Sequence, residues 1–87
     1  MKHAGPETLA ALAPLLACLR AQPALVERTP GCFYRGATAF LHFHEDAAGP
    51  FADVRLQPGP FTRLRVATPA ERDALVAAVA GCLGTRA

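Results

Sequence analysis

The stretch GCFYRGATAFLHFHED, residues 31–46, specifies the central element of this chain. Aromatic residues follow Cys32, so residues 32–34 predict one strand, and the alternating residues 38–45 predict the next. Residues 35–37, with Gly36 in the middle, form a tight turn, because glycine adopts the backbone conformations that such turns require. Short turns join antiparallel neighbours, so the stretch predicts a β-hairpin.

Upstream of the hairpin, the sequence predicts helix. Leucines recur at helical spacing through residues 6–20, as on the buried side of a helix. Pro14 interrupts this pattern, because proline donates no backbone hydrogen bond and clashes with the preceding turn. The segment is therefore either one kinked helix or two short helices, the second with Pro14 in its first turn. Residues 25–29 form an edge strand or an irregular lead-in.

Downstream, two strands and a helix are expected. Residues 51–56 and 61–67 predict a third and a fourth strand, separated by a proline- and glycine-rich turn. Thr68 to Glu71 is a capping box, which predicts the start of a helix, and Gly84 is a typical stop signal. The predicted order is α-β-β-β-β-α. Short connections between strands favour an antiparallel sheet, so we expect a two-layer α+β fold with both helices on one face.

Composition limits the class of protein. Eighty-seven residues, 52 % of them apolar, suffice for one core, so residues 1–87 are expected to form a single domain. The three cysteines are odd in number and lack CxxC spacing, which favours reduced thiols in a small cytoplasmic protein. No run reaches the roughly 18–20 apolar residues of a membrane span. The abundance of alanine, arginine and glycine suggests a bacterial source.

The two faces of the predicted sheet differ in chemistry. Successive strand residues point to opposite faces, so Leu41 and Phe43 belong under the helices. The other face is open and carries titratable side chains. Its predicted members are His42, His44, Asp53, Arg55, Arg63 and Arg65, with Phe40 and Phe61 at its margins.

The two histidines of this face predict a candidate metal site. Residues i and i+2 of a strand lie about 6.5–7 Å apart at Cα, a distance from which two imidazoles can reach one ion. Asp53 on the neighbouring strand supplies a third ligand for Zn²⁺, or Asp46 does so at the strand end. The same His42, His44 and Asp53 would form the centre of a hydrolytic site. The competing interpretation is a solvated strand face without an ion.

The arginines of the open face suggest a second kind of ligand. Arg55, Arg63 and Arg65 suit phosphate groups, because guanidinium can bind two oxygens at once. The net charge is only +2, however, and Asp53 can neutralise arginines across strands, so nucleic acid or another anionic ligand is not the leading expectation. The open face or an edge strand could instead pair with a second copy, giving a homodimer. A non-enzymatic binding or interaction module is the function that the sequence favours.

Several segments also resemble known proteins. The arrangement PALVER, GCFYRGATAFLHFHED, FADVRL, FTRLRV and ERDALVAAV resembles small bacterial proteins of unknown function. More distantly, residues 23–79 resemble the short family named luciferase domain, in which a strand with an H-x-H-x-D-like motif precedes an A-D-x-x-L strand and a final helix. The residues that carry this likeness are His42, His44, Asp46, Ala52, Asp53 and Leu56. The resemblance implies the same layout, but no light-emitting chemistry.

Overall fold

The computed structural model describes residues 1–85, which form six strands and three helices. In chain order these are β1 Lys2–His3, α1 Pro6–Ala11, α2 Ala13–Arg20, β2 Val26–Thr29, β3 Cys32–Arg35, β4 Thr38–Asp46, β5 Gly49–Val54, β6 Thr62–Arg65 and α3 Pro69–Leu83. All strand pairs are antiparallel. The predicted α+β class and antiparallel sheet are confirmed. The predicted order contains four strands and the structure has two more: β1, which the sequence did not predict, and β2, which is the edge strand of the two alternatives for residues 25–29.

Strand β4 is the centre of the sheet. The strand order is β2-β3-β4-β5-β6, and β1 also pairs with β4. Along one side of β4, β3 pairs with its first half, and β1 pairs with Glu45 and His44 in its second half. Along the other side, β5 pairs with β4 from Leu41 to Asp46. The second half of β4 is therefore held on both sides by backbone hydrogen bonds.

The helical segment before the sheet is divided rather than kinked. Leu12 ends α1 and begins α2, and Pro14 lies in the first turn of α2. The backbone N–H groups of the first turn have no acceptor within the helix, so the N–H that proline lacks is not missed there. Of the two alternatives that the sequence left open, two short helices is the observed one.

One hydrophobic core joins the helices to the sheet. α2 and α3 pack on each other. The buried residues of these helices share one cluster with inward-facing residues of β3, β4 and β5. They include Leu16, Leu19, Leu75 and Val79 from the helices, and Phe33, Leu41, Phe43, Ala52 and Val54 from the sheet. The side chains that alternate with these sheet residues project from the other face.

A β-bulge at Phe40 changes which side chains of β4 are buried. Phe33 pairs with Leu41 and Tyr34 pairs with Ala39, so Phe40 is an extra residue in the ladder. Phe40 and Leu41 are consequently both buried, at 2 % and 1 % exposure. The prediction that Phe40 lies at the margin of the open face was wrong, because strict alternation does not hold across a bulge. Beyond the bulge alternation resumes, and His42 projects outward.

The last helix begins as predicted. Thr68 Oγ1 accepts a hydrogen bond from the Glu71 amide at 3.2 Å, and Glu71 Oε1 accepts one from the Thr68 amide at 3.0 Å, which completes the capping box. Gly84 ends the helix with a φ of 71°, a left-handed conformation that suits glycine. Within residues 1–85, no helix is long and apolar enough to cross a membrane.

Candidate metal centre

The register of β4, β5 and β6 brings predicted site residues into one row. His42 is paired with Asp53, and Asp53 with Arg63. Directly opposed residues of antiparallel strands project from the same face, about 4.5–5.5 Å apart at Cβ. His44 lies two residues from His42 and therefore on this face as well. The sheet thus places two imidazoles, one carboxylate and one guanidinium side by side.

The two histidines and Asp53 form a tight cluster. His44 Nε2 lies 3.2 Å from Asp53 Oδ2, and His42 Nε2 lies 3.6 Å from the same oxygen. One ligand atom from each of the three residues lies within 4.8 Å of the other two. Ligands of one Zn²⁺ ion, each about 2.0–2.2 Å from the metal, would be about 3–3.5 Å apart. Small side-chain movements would therefore allow all three to bind one ion.

His44 has an unusual polar environment. Both of its ring nitrogens are buried, and neither has a hydrogen-bond partner among residues 1–85. Asp53 Oδ2 is near Nε2, but the geometry is not that of a hydrogen bond. Buried polar atoms nearly always have a partner, and leaving one without a partner costs about 1–3 kcal/mol. A metal ion bound at one of these nitrogens would remove the cost for that atom.

Arg63 fixes the position of the carboxylate. Its Nε donates to Asp53 Oδ1 at 2.7 Å, and its Nη2 donates to Oδ2 at 2.9 Å. This hydrogen-bonded pair lowers the pKa of Asp53 below its usual range, so the carboxylate stays ionised. Arg63 opposes a bound cation by its charge, but it also acts as the outer hydrogen-bond partner that ligating carboxylates commonly have. The carboxylate is thus held beside the two imidazoles.

The protonation state of His42 favours binding of a metal ion. Burial lowers the pKa of His42, and the neighbouring His44 lowers it further, whereas Asp53 acts in the opposite direction. A lowered pKa favours the neutral imidazole at neutral pH. Neutral imidazole is the form that binds metal, so little proton competition is expected at this residue.

Replacing Arg63 by glutamine is expected to make the protein less stable in a pH-dependent way. The pKa of Asp53 is depressed in the folded state, so its pairing contributes stability above the unfolded pKa of about 4 and loses it as pH falls further. The difference in unfolding free energy between wild type and Arg63→Gln should therefore be largest near pH 7 and shrink below about pH 4. Urea unfolding at several pH values measures it.

Arg28→Gln is the matched control, because it removes the same charge from another arginine of the sheet. Arg28 Nη2 donates to the Gly36 carbonyl at 3.2 Å, and its guanidinium lies 4.3 Å from the centre of the Tyr34 ring, so its contacts are with a carbonyl and a ring rather than with a carboxylate. A pH-independent loss in Arg63→Gln, equal at pH 7 and pH 3, would show that the Asp53 pair is not its cause.

The other predicted residues lie outside the cluster. Arg55 donates to the carbonyl groups of Ala39 and Gly59, and its guanidinium lies 4.3 Å from the centre of the Phe61 ring. Arg65 forms an ion pair with Glu71 at the start of α3, with 3.6 Å between Nε and Oε1. Asp46, the alternative third ligand, instead accepts a hydrogen bond from the Ala48 amide in the β4–β5 turn at 2.8 Å. Of the three predicted arginines, Arg63 is therefore the one that pairs with the Asp53 carboxylate of the cluster.

Sequence reasoning missed a third histidine at this site. Pairing of β1 with β4 sets His3 opposite His44, and their rings stack with centroids 4.7 Å apart. The His3 ring lies 5.8 Å from that of His42. A two-residue strand shows no periodicity, so no signal in the sequence placed β1 in the sheet. All three histidines of the chain meet on one face.

A groove lies beside this group of histidines. It has a volume of about 260 Å³ and opens along β4 where β1 and β3 adjoin. Its wall includes His3, Cys32, Tyr34, Ala39, His42 and Phe61. The Phe61 ring meets that of His42 edge to face, with centroids 4.9 Å apart. The cluster is therefore flanked by aromatic surface on one side and by Arg63 on the other.

Comparison with known proteins gives no relative from which to assign a function. The chain matches no protein-family model, no curated protein and no solved structure. The resemblance to the luciferase domain accordingly stays a prediction. Any functional assignment has to come from the chemistry of the open face.

Proposed function

We propose that this protein is a small non-enzymatic binding module whose open sheet face holds a transition-metal ion, with Zn²⁺ as the ion of choice. His42, His44 and Asp53 are its ligands in this proposal. The observation that carries it is the half-buried imidazole of His44, whose two nitrogens are buried and have no hydrogen-bond partner in the part of the chain that the structure describes. A metal bond at one nitrogen would give this side chain a partner that residues 1–85 do not supply.

The donor set favours zinc over the common hard cations. Two imidazole nitrogens and one carboxylate oxygen are typical Zn²⁺ ligands, whereas Ca²⁺ and Mg²⁺ prefer oxygen alone. His42 and His44 lie on the central strand, which is paired on both sides near them. Little backbone order has to be gained on binding, and this preorganisation favours affinity.

The alternative functions have less support. A three-ligand zinc site keeps a position for water, which would permit hydrolysis, but nothing on the open face identifies a substrate. An anion site on Arg55, Arg63 and Arg65 would compete with the contacts that each of these side chains already makes. Self-association stays a prediction.

A zinc titration of the tag-free, chelator-treated protein tests the proposal. We expect saturable chemical-shift changes in the amide and imidazole NMR signals of His42 and His44 and in the amide of Asp53. Mg²⁺ is the control ion, because it prefers oxygen ligands and should leave these signals unchanged. An absence of shifts below millimolar zinc would remove the metal hypothesis.

A further inference from the structure

We infer that His3 is a fourth ligand of the proposed metal site, so that a bound ion closes its own coordination sphere and fastens the N-terminal strand to the sheet. This inference rests on the proposed function. It adds a residue from a different part of the chain and a consequence for the fold. It also distinguishes a closed structural site from an open, hydrolytic one.

The spacing of the three imidazole rings fits one tetrahedral ion. Their centroids are separated by 4.7 Å for His42 and His44, 4.7 Å for His3 and His44, and 5.8 Å for His3 and His42. With Zn–N distances of about 2.0–2.1 Å, the centroids of three imidazoles on a tetrahedral ion lie about 5 Å apart. The observed separations of 4.7 and 5.8 Å lie on either side of this value. The ligand atoms that lie within 4.8 Å of one another are those of His42, His44 and Asp53, so a nitrogen of His3 has to move closer to complete the set.

Hydrogen bonds hold the backbone around His3 in place, whereas its side chain is exposed. His3 is paired with His44, and the next amide, that of Ala4, donates to the Phe43 carbonyl at 3.0 Å. The Gly5 amide donates to Glu45 Oε2 at 3.1 Å. The His3 side chain itself is exposed, and exposed side chains change rotamer within nanoseconds. Rotation about its side-chain bonds is the change needed to direct a nitrogen at the ion.

A fourth protein ligand changes what the site can do. Structural zinc sites have four protein ligands, whereas catalytic ones keep a position for water. Three imidazoles and one carboxylate would fill a tetrahedral sphere and leave no water to activate. The closed site agrees with a non-enzymatic role. It would also add a side-chain connection between β1 and the sheet to the backbone pairing with β4.

Cobalt substitution tests this coordination, because four-coordinate Co²⁺ absorbs visible light much more strongly than five- or six-coordinate Co²⁺. The apo protein is titrated with Co²⁺ as wild type, His3→Ala and Lys2→Ala. Wild type should show the strong bands of a tetrahedral site. His3→Ala should bind at least about 10-fold more weakly, with bands at changed wavelengths because water replaces one imidazole. Lys2→Ala is the matched control on the same strand and should resemble wild type.

Hydrogen exchange of the Ala4 amide gives a second reading that does not depend on the spectrum. Zn²⁺ should slow this exchange in wild type and in Lys2→Ala, but not in His3→Ala. Equal affinity, spectrum and exchange in wild type and His3→Ala would overturn the role of His3 and leave the three-ligand site standing. If wild type binds neither Co²⁺ nor Zn²⁺, the proposed function fails, and this inference fails with it.

Discussion

The substitution His44→Ala is expected to abolish zinc binding at micromolar concentrations. Within the described residues the two ring nitrogens of His44 have no hydrogen-bond partner, and its ring lies between the ring of His3 and the carboxylate of Asp53. Loss of an outer partner of a metal ligand typically costs 10–100-fold in affinity, so loss of the ligand itself should cost at least about 100-fold. Isothermal titration calorimetry with Zn²⁺ on the chelator-treated protein measures the change.

A variant on the same face controls for altered surface charge. Arg65→Gln removes a cation from the row that contains His44, without removing a ligand of the proposed site. Its affinity for zinc should be unchanged or slightly higher, since a repelling charge is gone. Zinc binding in His44→Ala that equals that of wild type, with both proteins folded by circular dichroism, would contradict the assigned ligand set.

The substitution Phe33→Ala is expected to remove most of the free energy of unfolding. Phe33 is 1 % exposed and is the largest of the fully buried side chains. Replacing a buried phenylalanine by alanine costs about 3–5 kcal/mol through lost burial and the cavity that remains. A domain of this length has a total stability of about 4–13 kcal/mol, at about 0.05–0.15 kcal/mol per residue. Urea unfolding followed by circular dichroism measures the loss.

The neighbouring edge strand offers a control for this substitution. Val26 in β2 is 55 % exposed, and Val26→Ala should change the unfolding free energy by no more than about 0.5 kcal/mol. A loss below about 1 kcal/mol in Phe33→Ala would mean that Phe33 does not lie in the core described here.

The parts of the site that follow from local periodicity could be predicted from the sequence. From Leu41 onward β4 alternates strictly, so His42 and His44 were correctly assigned to the face opposite Leu41. The same rule applied to β5 and β6 placed Asp53 and Arg63 on that face. Short connections made these strands antiparallel neighbours, which is why residues far apart in sequence were expected to adjoin.

The parts that depend on long-range pairing could not be predicted. β1 has two residues, and only its hydrogen bonds to β4 make it a strand, so the position of His3 was not foreseen. The pattern around Phe40 does not reveal a bulge. Two consecutive apolar residues, Phe40 and Leu41, are also found in a regular strand that is apolar on both faces. Side-chain pairing was also open: the preference of Asp53 for Arg63 over Arg55 depends on register, which the sequence does not specify.

The bulge at Phe40 sets the face to which His42 and His44 project, because it adds one residue to β4 before them. With Arg35 opposite Thr38 and Tyr34 opposite Ala39, an unbroken ladder would set Phe33 opposite Phe40 and would turn His42 and His44 toward the core. The extra residue restores the outward direction. A relative lacking this residue could therefore keep both histidines on the open face with a regular strand, whereas an uncompensated insertion of one residue between Leu41 and His42 would bury them. A change of one residue in this part of the strand therefore keeps both histidines on the open face only if it removes the bulge or is compensated nearby. This is the pattern to seek when related sequences are aligned.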